Sequence, residues 1–486
     1  MAQQEGSWGV ITRLAREYHI SRTFIYALLA TFKSACGHLF SPGESVASPT
    51  RDALEARILA YRLEGRCSID AISTLMKREG LPLSSSGAVS ELLTRMGQAL
   101  PTTLCHDADT PRFVVFSNDE VYAKTQPILI TVDPISTAIL RIELADNRAA
   151  EQWCQHYEGL LANGFQPTQL TSDAGTGITA ANAVTFPDTS WQLDTFHSIA
   201  HRLGDWDRRL EKRVEHAALY AADREAKLAS AKSDAVIDKR LTQCFDADQA
   251  VEKARQLHEN FRYLYQEIIE QLSTFDVAGR LRPQSEANST MSTALDLLEE
   301  LGYSTLNTDI TSVRKALPHC LTYFDKAKVA VKQCEALTDN KAALPTLYLA
   351  WQWDKAIIKS KKTERRHYAS EQRDAYLKWA RALIGDKQQT ARLKAAVYQE
   401  LDQIIQASSI VECINSLLRP YLNNSRNQVT QEFLNLFMFY HNHRRYHAGK
   451  RKGKTPMEIL TGVVQQEDWV TLLQRKIRAN DSTLDA

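Results

Sequence analysis

Metal-binding cysteine pairs, a membrane-length apolar run and a dominant charge sign are all missing from this chain. Its eight cysteines are scattered, with no Cys-x-x-Cys pair and no Cys/His quartet at zinc spacing. Cys36 with His38, and Cys105 with His106, are too few ligands, so a zinc-ribbon scaffold is excluded and reduced, mostly buried thiols are expected. No apolar run reaches bilayer length. The opening MAQQEGSWGVITRLARE has no basic segment followed by an apolar one, so no signal peptide is expected. Lys+Arg 59 against Asp+Glu 58 leaves a net charge of +1. That balance rules out a uniformly basic coat for nucleic acid and restricts any such contact to local patches. What remains, 44% hydrophobic and 24% charged, is the composition of a soluble globular protein.

At 486 residues the chain has room for roughly two to four domains. Residues 8–34, WGVITRLAREYHISRTFIYALLATFKS, read as helix, turn, helix. Ile11, Leu14 and Ala15 form one apolar face, Ile20 packs the turn, and Ser21 caps a helix bearing Phe24, Ile25 and Leu28. Arg22 and Thr23 then sit at the start of the second helix, where a helix-turn-helix meets bases or phosphates. An ordinary helical hairpin would look similar. A second unit follows at 52–97, with Leu54, Ile58, Leu59 and Leu63 on one face and Ser68 and one of Ser84–Ser86 as caps. This predicts DNA-binding units at 1–48 and 50–100, joined by a Gly/Ser-containing linker around Pro49. A turn-rich boundary, CHDADTPR, follows Pro101.

The chain is organised around Phe113–Leu203. Three β-rich runs, Phe113–Phe116, Pro127–Val132 and Ala138–Leu144, are separated by Asn118-Asp119 and Asp133-Pro134, which predicts a three-strand meander. An amphipathic helix at roughly 148–161 and a fourth run ending at Asp173 follow. Asp119 and Asp173 are thus expected at strand ends, projecting from the sheet rim. A strand-end Asp is more often a turn former than a ligand, and Asp133 reads that way. Glu120 should point to the opposite face from Asp119. Asp194 and His197, taken alone, read as a helix cap and a partly buried imidazole.

From 204 to 407 the sheet pattern gives way to long helical periodicity with mixed charge, predicting an all-helical insertion. Its run KSKKTERRHYASEQR, Lys359–Arg373, is the most basic and could track a phosphate backbone, though solvated helix faces often carry such runs. Beyond it, SSIVECINSLLRPYL places Glu412, Asn415 and Arg419 on one helical face; Glu371 and Glu400 are competing helical acids. The stretch FYHNHRRYHAGKRKGKTPMEIL follows, with His443, Arg444, Arg445, Lys450, Arg451, Lys452 and Lys454 beside aromatic residues. It reads either as a phosphate-binding loop or as a solvated loop before a helix starting at Thr455-Pro456. Residues 464–486 read as a helix and tail.

In combination these pieces resemble the DDE-type insertion-sequence transposases, whose RNase H-like core is interrupted by a helical insertion. The likeness rests on an acid ending the first strand, a second ending the fourth, the Asp-x-x-His element Asp194–His197, and a Glu on a later helix followed by the basic ending. It covers a little under half of the chain, counting the N-terminal segment. The fold it implies is multidomain: all-α helix-turn-helix units and an α/β core with a mixed sheet, split into 110–203 and 408–463. It further implies Asp119, Asp173 and Glu412 as catalytic metal ligands for two Mg²⁺ ions (Mn²⁺ as substitute), with Asp194 and His197 in support. The activity implied is cleavage of double-stranded DNA at element ends and strand transfer into a target. Arg22, Thr23, Arg419 and the basic ending would contact DNA. Homo-oligomerisation on DNA is expected, with no membrane association and a cytoplasmic, nucleoid-associated location in a bacterial host. The alternatives are a transposase-derived regulator without catalysis and an RNase H-like nuclease.

Overall fold

The computed structural model describes residues 9–40, 49–106 and 110–484. The linker before Pro49, part of the CHDADTPR boundary and the extreme C-terminus lie outside them. The first helical pair is α1 (Val10–Glu17) and α2 (Arg22–Phe40), with the Ser21 hydroxyl accepting the Phe24 amide as expected of a cap. Among its described side chains only Val10 and Ile25 are buried apolar residues, while Tyr18, Phe24, Tyr26 and Leu28 stand exposed. Ile20, expected to pack the turn, is exposed too. Two buried apolar residues among the described side chains are too few to close a core.

The second set, α3 (Arg51–Leu59), α4 (Ile69–Arg78) and α5 (Ser86–Gln98), is built differently. Thr50, Ser68 and Ser85 each cap a helix by accepting an amide three residues on. A single π-type turn, Ala60–Glu64, extends α3. Its apolar face joins the main core: Ile58, Leu63, Met76 and Met96 lie in one cluster with Ile130 of the sheet and Phe437 near the C-terminus.

The sheet comprises β1 (Arg112–Ala123), β2 (Gln126–Val132), β3 (Ile139–Leu144), β4 (Phe165–Ser172) and β5 (Trp191–Leu193), in the order β3-β2-β1-β4-β5. β1, β2 and β3 are antiparallel, whereas β4 and β5 run parallel to β1. The expected break at Asn118-Asp119 does not occur. β1 continues to Ala123, pairs with β2 from Ser117 to Ala123, and turns only at Lys124. Asn and Asp are poor strand formers, but the Asn118 carbonyl oxygen accepts the Thr131 hydroxyl inside the sheet, so its polarity is satisfied without a turn. Asp133 does form the next turn, accepting the amide and hydroxyl of Ser136.

One face of the sheet is covered by α6 (Ala150–Ala162) and α7 (Thr176–Thr185), which bury Phe116, Leu129, Trp153, Tyr157 and Ile178 together. Neither α7 nor the short β5 was visible in the sequence pattern.

After β5 a π-type turn at Phe196–His201 leads into the insertion: α8 (Arg202–Ala229), α9 (Asp234–Gln271), α10 (Gln284–Glu299), α11 (Ser304–Cys320), α12 (Tyr323–Ala336), α13 (Leu344–Lys359), α14 (Thr363–Ile384) and α15 (Lys387–Leu401). These helices own a separate core running from Leu193 to Ile404. The chain then returns as α16 (Ser409–Asn424), α17 (Gln431–His443), α18 (Pro456–Thr461) and α19 (Trp469–Leu484); α16, α17 and α19 join the core on the sheet's other face, while Leu460 of α18 packs against the α6–α7 cluster. At Gly97 a Cβ would collide with the Glu432 carbonyl of α17. Only glycine allows that approach, and Asn435 seals it by donating to the carbonyls of Gly97 and Leu100.

Candidate functional site

Alternation along β1 aims Asp119 and Val121 at the α16 side and Glu120 at the α6 side. Val121 accordingly shares a cluster with Val411 and Ile414 of α16, while Glu120 pairs with Arg148 at 2.9 Å just before α6. Asp119 lies mid-strand relative to β2 but beyond the last β4 partner, Thr171↔Ser117. The sheet is therefore wider on one side of Asp119 than on the other. That corrects the expected strand end while keeping the expected rim position.

Asp119 receives two hydrogen bonds. The Glu120 amide donates to Oδ1 at 2.9 Å, and Asn415 Nδ2 donates to Oδ2 at 2.7 Å. Burial raises its pKa most, the Glu120 amide opposes this, and the charges of Asp173, Glu120 and Glu412 add to the rise, bringing it to about 7. Asp173, just after β4, accepts the Gly175 amide at 2.9 Å as the chain turns into α7. Among the described residues, no lysine or arginine lies within ion-pair distance of Asp119 or Asp173. Asp173 and Glu412 thus lie near enough to Asp119 for their charges to be felt there, and carboxylate oxygens are the donor type a hard divalent cation takes.

Glu412, in the first turn of α16, pairs with His197 Nε2. Burial would lower the His197 pKa, but the hydrogen bond to Glu412 and the charges of Asp194, Glu412 and Asp119 raise it instead. His197 stands on the π-type turn beside Phe196 and His201. Of the competing acids, Glu371 pairs with His367 on α14, and Glu400 lies on α15 within the insertion.

One carboxylate oxygen each of Asp194 and Glu412 and one ring nitrogen of His197 come close enough together to hold a cation, but Asp194 has no capacity to spare. Its Oδ1 accepts the amides of Phe196 (2.7 Å) and His197 (3.0 Å), and its Oδ2 accepts both the amide and the hydroxyl of Ser408 (2.7 Å each). It is 1% exposed. Asp194 therefore ties the start of the insertion to its end. Thr195 adds to the tie, since its amide and hydroxyl both donate to the Gln406 carbonyl. Gln192 of β5 anchors the α11–α12 junction in turn, donating to the Cys320 carbonyl and accepting the Tyr323 amide.

Arg22 and Thr23 open α2 and are exposed. Arg419 is exposed on the face of α16 that carries Glu412 and lines a cavity of about 400 Å³ with Tyr122, Asn423 and Asn427. The basic ending is more committed than its composition suggests. His443 is buried against Gln465, and Arg444 lies over the Tyr440 ring. Arg445 makes a forked pair with Glu458, Arg451 donates to the Pro134 and Ile135 carbonyls, and Lys450 pairs with Asp402. These contacts give His443, Arg445, Lys450 and Arg451 structural duties. Lys452 and Lys454 remain exposed. Thr455 and Glu458 form a reciprocal cap that starts α18, as the Thr-Pro pair predicts.

Two roles escaped the sequence pattern: Ser408 as the partner of Asp194, and Asn415 as the clamp on Asp119. Asn415 was visible by its three-residue spacing from Glu412, but its target required the sheet to be in place. No helix among the described residues is long and apolar enough to cross a membrane. No curated protein matches the chain. Residues 88–283, which contain Asp119, Asp173, Asp194 and His197 and stop before Glu412, match the family model described as Transposase, Mutator family, a match that supports an insertion-sequence transposase.

Proposed function

We propose that this chain is a DNA transposase of the DDE type, built on an RNase H-like core, that cuts at the ends of its element and joins the freed 3′-hydroxyl to a target. The observation that carries this reading is that Asp173 and Glu412, from two other parts of the chain, lie near enough to Asp119 for their charges, with burial, to hold it near pKa 7. The sheet order, with three antiparallel strands followed by two parallel to the first, supports the RNase H-like assignment. The matched segment supports transposition over simple nuclease activity.

Asp119, Asp173 and Glu412 would hold two Mg²⁺ ions, which when bound neutralise the phosphate and lower the pKa of the attacking water or 3′-hydroxyl. Asn415 and the Glu120 amide each hold one oxygen of the Asp119 carboxylate, fixing its orientation and leaving each oxygen a further lone pair. His197 holds Glu412 at that rim, and Asp194 sets where α16 begins. The helical pairs at the N-terminus would read the element ends. Two ends must meet, so the working unit is a homo-oligomer on DNA.

The test uses purified protein and a DNA fragment carrying the sequences that flank its gene, with cleavage mapped at nucleotide resolution in Mg²⁺ or Mn²⁺. Cuts at the flanking ends by the wild type and none by Asp173→Ala are expected. Specific binding without cleavage by either protein would replace the enzyme with a DNA-binding regulator.

A further inference from the structure

The basic run at the end of α13 is not absorbed by the acids or by the DNA-reading helices. Between Lys359 and Arg366 the sequence KSKKTERR carries five cations and one acid, Glu364. It forms the last residue of α13, a short turn and the first residues of α14. Lys361, Lys362, Arg365 and Arg366 are all exposed, and no ion pair engages any of them among the described residues. Further along α14 the basic character ends, because Arg373 is consumed by Asp354 and Asp374.

Two connections locate this turn relative to the acids. Lys359 lies close enough to Asp194 to feel its charge. Surrounding protein and then Lys355 lower its pKa, with Asp194 opposing. One turn earlier on α13, Lys355 binds Asp402 at 2.9 Å, and the other oxygen of Asp402 binds Lys450 at 2.9 Å. A single carboxylate therefore joins the insertion to the loop carrying Lys452 and Lys454. Lys359, where the α13–α14 turn begins, is thus near Asp194, and α13 is tied through Asp402 to the basic loop. Tyr368, exposed and set edge-on to Trp353, follows the turn on α14.

We propose that the α13–α14 turn is a phosphate-backbone contact for the duplex whose scissile bond lies at the acid rim, so that the insertion itself grips substrate DNA. This rests on the DNA-processing reading above. Clustered, unpaired guanidinium and ammonium groups beside an acidic centre match the charge of a polyanion that must be drawn to that centre despite its acids. The even overall charge makes the local surplus meaningful.

The experiment compares two triple variants of the full chain, Lys362→Ala/Arg365→Ala/Arg366→Ala and, on the remote α8–α9 hairpin, Lys232→Ala/Lys239→Ala/Lys253→Ala. Each removes the same charge from exposed positions, and circular dichroism melts check that both fold. Fluorescence anisotropy with labelled flanking-end duplex over a salt series gives affinity and its salt slope. The first variant should bind roughly tenfold or more weakly, with a slope smaller by about 2–3, while the second stays near wild type. Superimposable isotherms for the two variants would overturn the inference and point to an acidic protein as the partner of this turn. If the wild type itself binds no duplex at any salt, the transposase reading falls and the inference with it. As a second readout, a photoreactive phenylalanine analogue at Tyr368 should crosslink to the duplex, and failure to crosslink while binding persists counts against the contact.

Discussion

Asp119, half-buried, and Asp194, fully buried, are acids at the same edge of one sheet, and the protein treats them in opposite ways. The Asp194 carboxylate accepts four hydrogen bonds from three residues on the two sides of a chain junction. Asp119 accepts two and feels the charges of Asp173, Glu120 and Glu412. Donors stabilise a buried carboxylate, whereas acidic neighbours without donors penalise it. The neck around Asp194 is thus built for stability, and the rim around Asp119 gives up stability to keep room for something positive.

The sharpest way to break this contrast is Asp194→Ala. Four donors would lose their acceptor inside protein, so unfolding free energy should fall by about 3–5 kcal/mol, measured by denaturant titration. A loss below about 1 kcal/mol would mean that the neck is held mainly by Gln192 and Thr195.

Asp119→Asn should move the other way. With its pKa raised from 3.8 to about 7 in the folded state, Asp119 binds a proton more tightly when native than when unfolded. Stability is then highest below pH ~4 and declines as pH rises through 7, by at most about 4 kcal/mol. In chelator, the asparagine variant should be more stable than wild type by about 1–3 kcal/mol at pH 8 and lose that advantage near pH 4. Asn415 can assist, because its Oδ1 has no partner and an amide flip would let it accept from the new side chain. A variant equally stable to wild type at both pH values would remove the contrast between rim and neck.

Asp402 is the intermediate case, a carboxylate held by two cations. Burial would raise its pKa, but Lys355 and Lys450 hold it at about 2. Its contribution is present above pH ~4 and is lost as pH falls through 2. Because the two lysines are partly open to solvent, Asp402→Asn should cost only about 1 kcal/mol at pH 7 and little near pH 2. The same change should loosen the basic loop, seen as faster amide exchange around Lys450.

Much of this arrangement could be read from residue order, and the errors have physical causes. Asp173 after a strand, Glu412 on an amphipathic helix, the long helical insertion and the serine caps follow from local periodicity and hydrogen-bond chemistry. The continuation of β1 through Asn118-Asp119 did not, because its compensation comes from Thr131 across the sheet. The two N-terminal helical units looked alike in sequence. One proves to be joined to the main core by Gly97 and Asn435, and the other stands on exposed apolar residues, a distinction set by distant partners. The basic ending looked free because charge composition does not reveal that Glu458, Asp402 and two carbonyls occupy Arg445, Lys450 and Arg451.

The closed neck also bears on how such a chain can change over time. Thr195 meets Gln406 and Asp194 meets Ser408, so some two hundred residues leave and rejoin the sheet at nearly one point. Helices can be added or lost at the far end, along α8 and α9, without shifting the register in which Glu412 returns, since lengthening a loop whose ends are already joined adds little entropic cost. An insertion tied in this way can change length and surface without moving Ser408 and the start of α16.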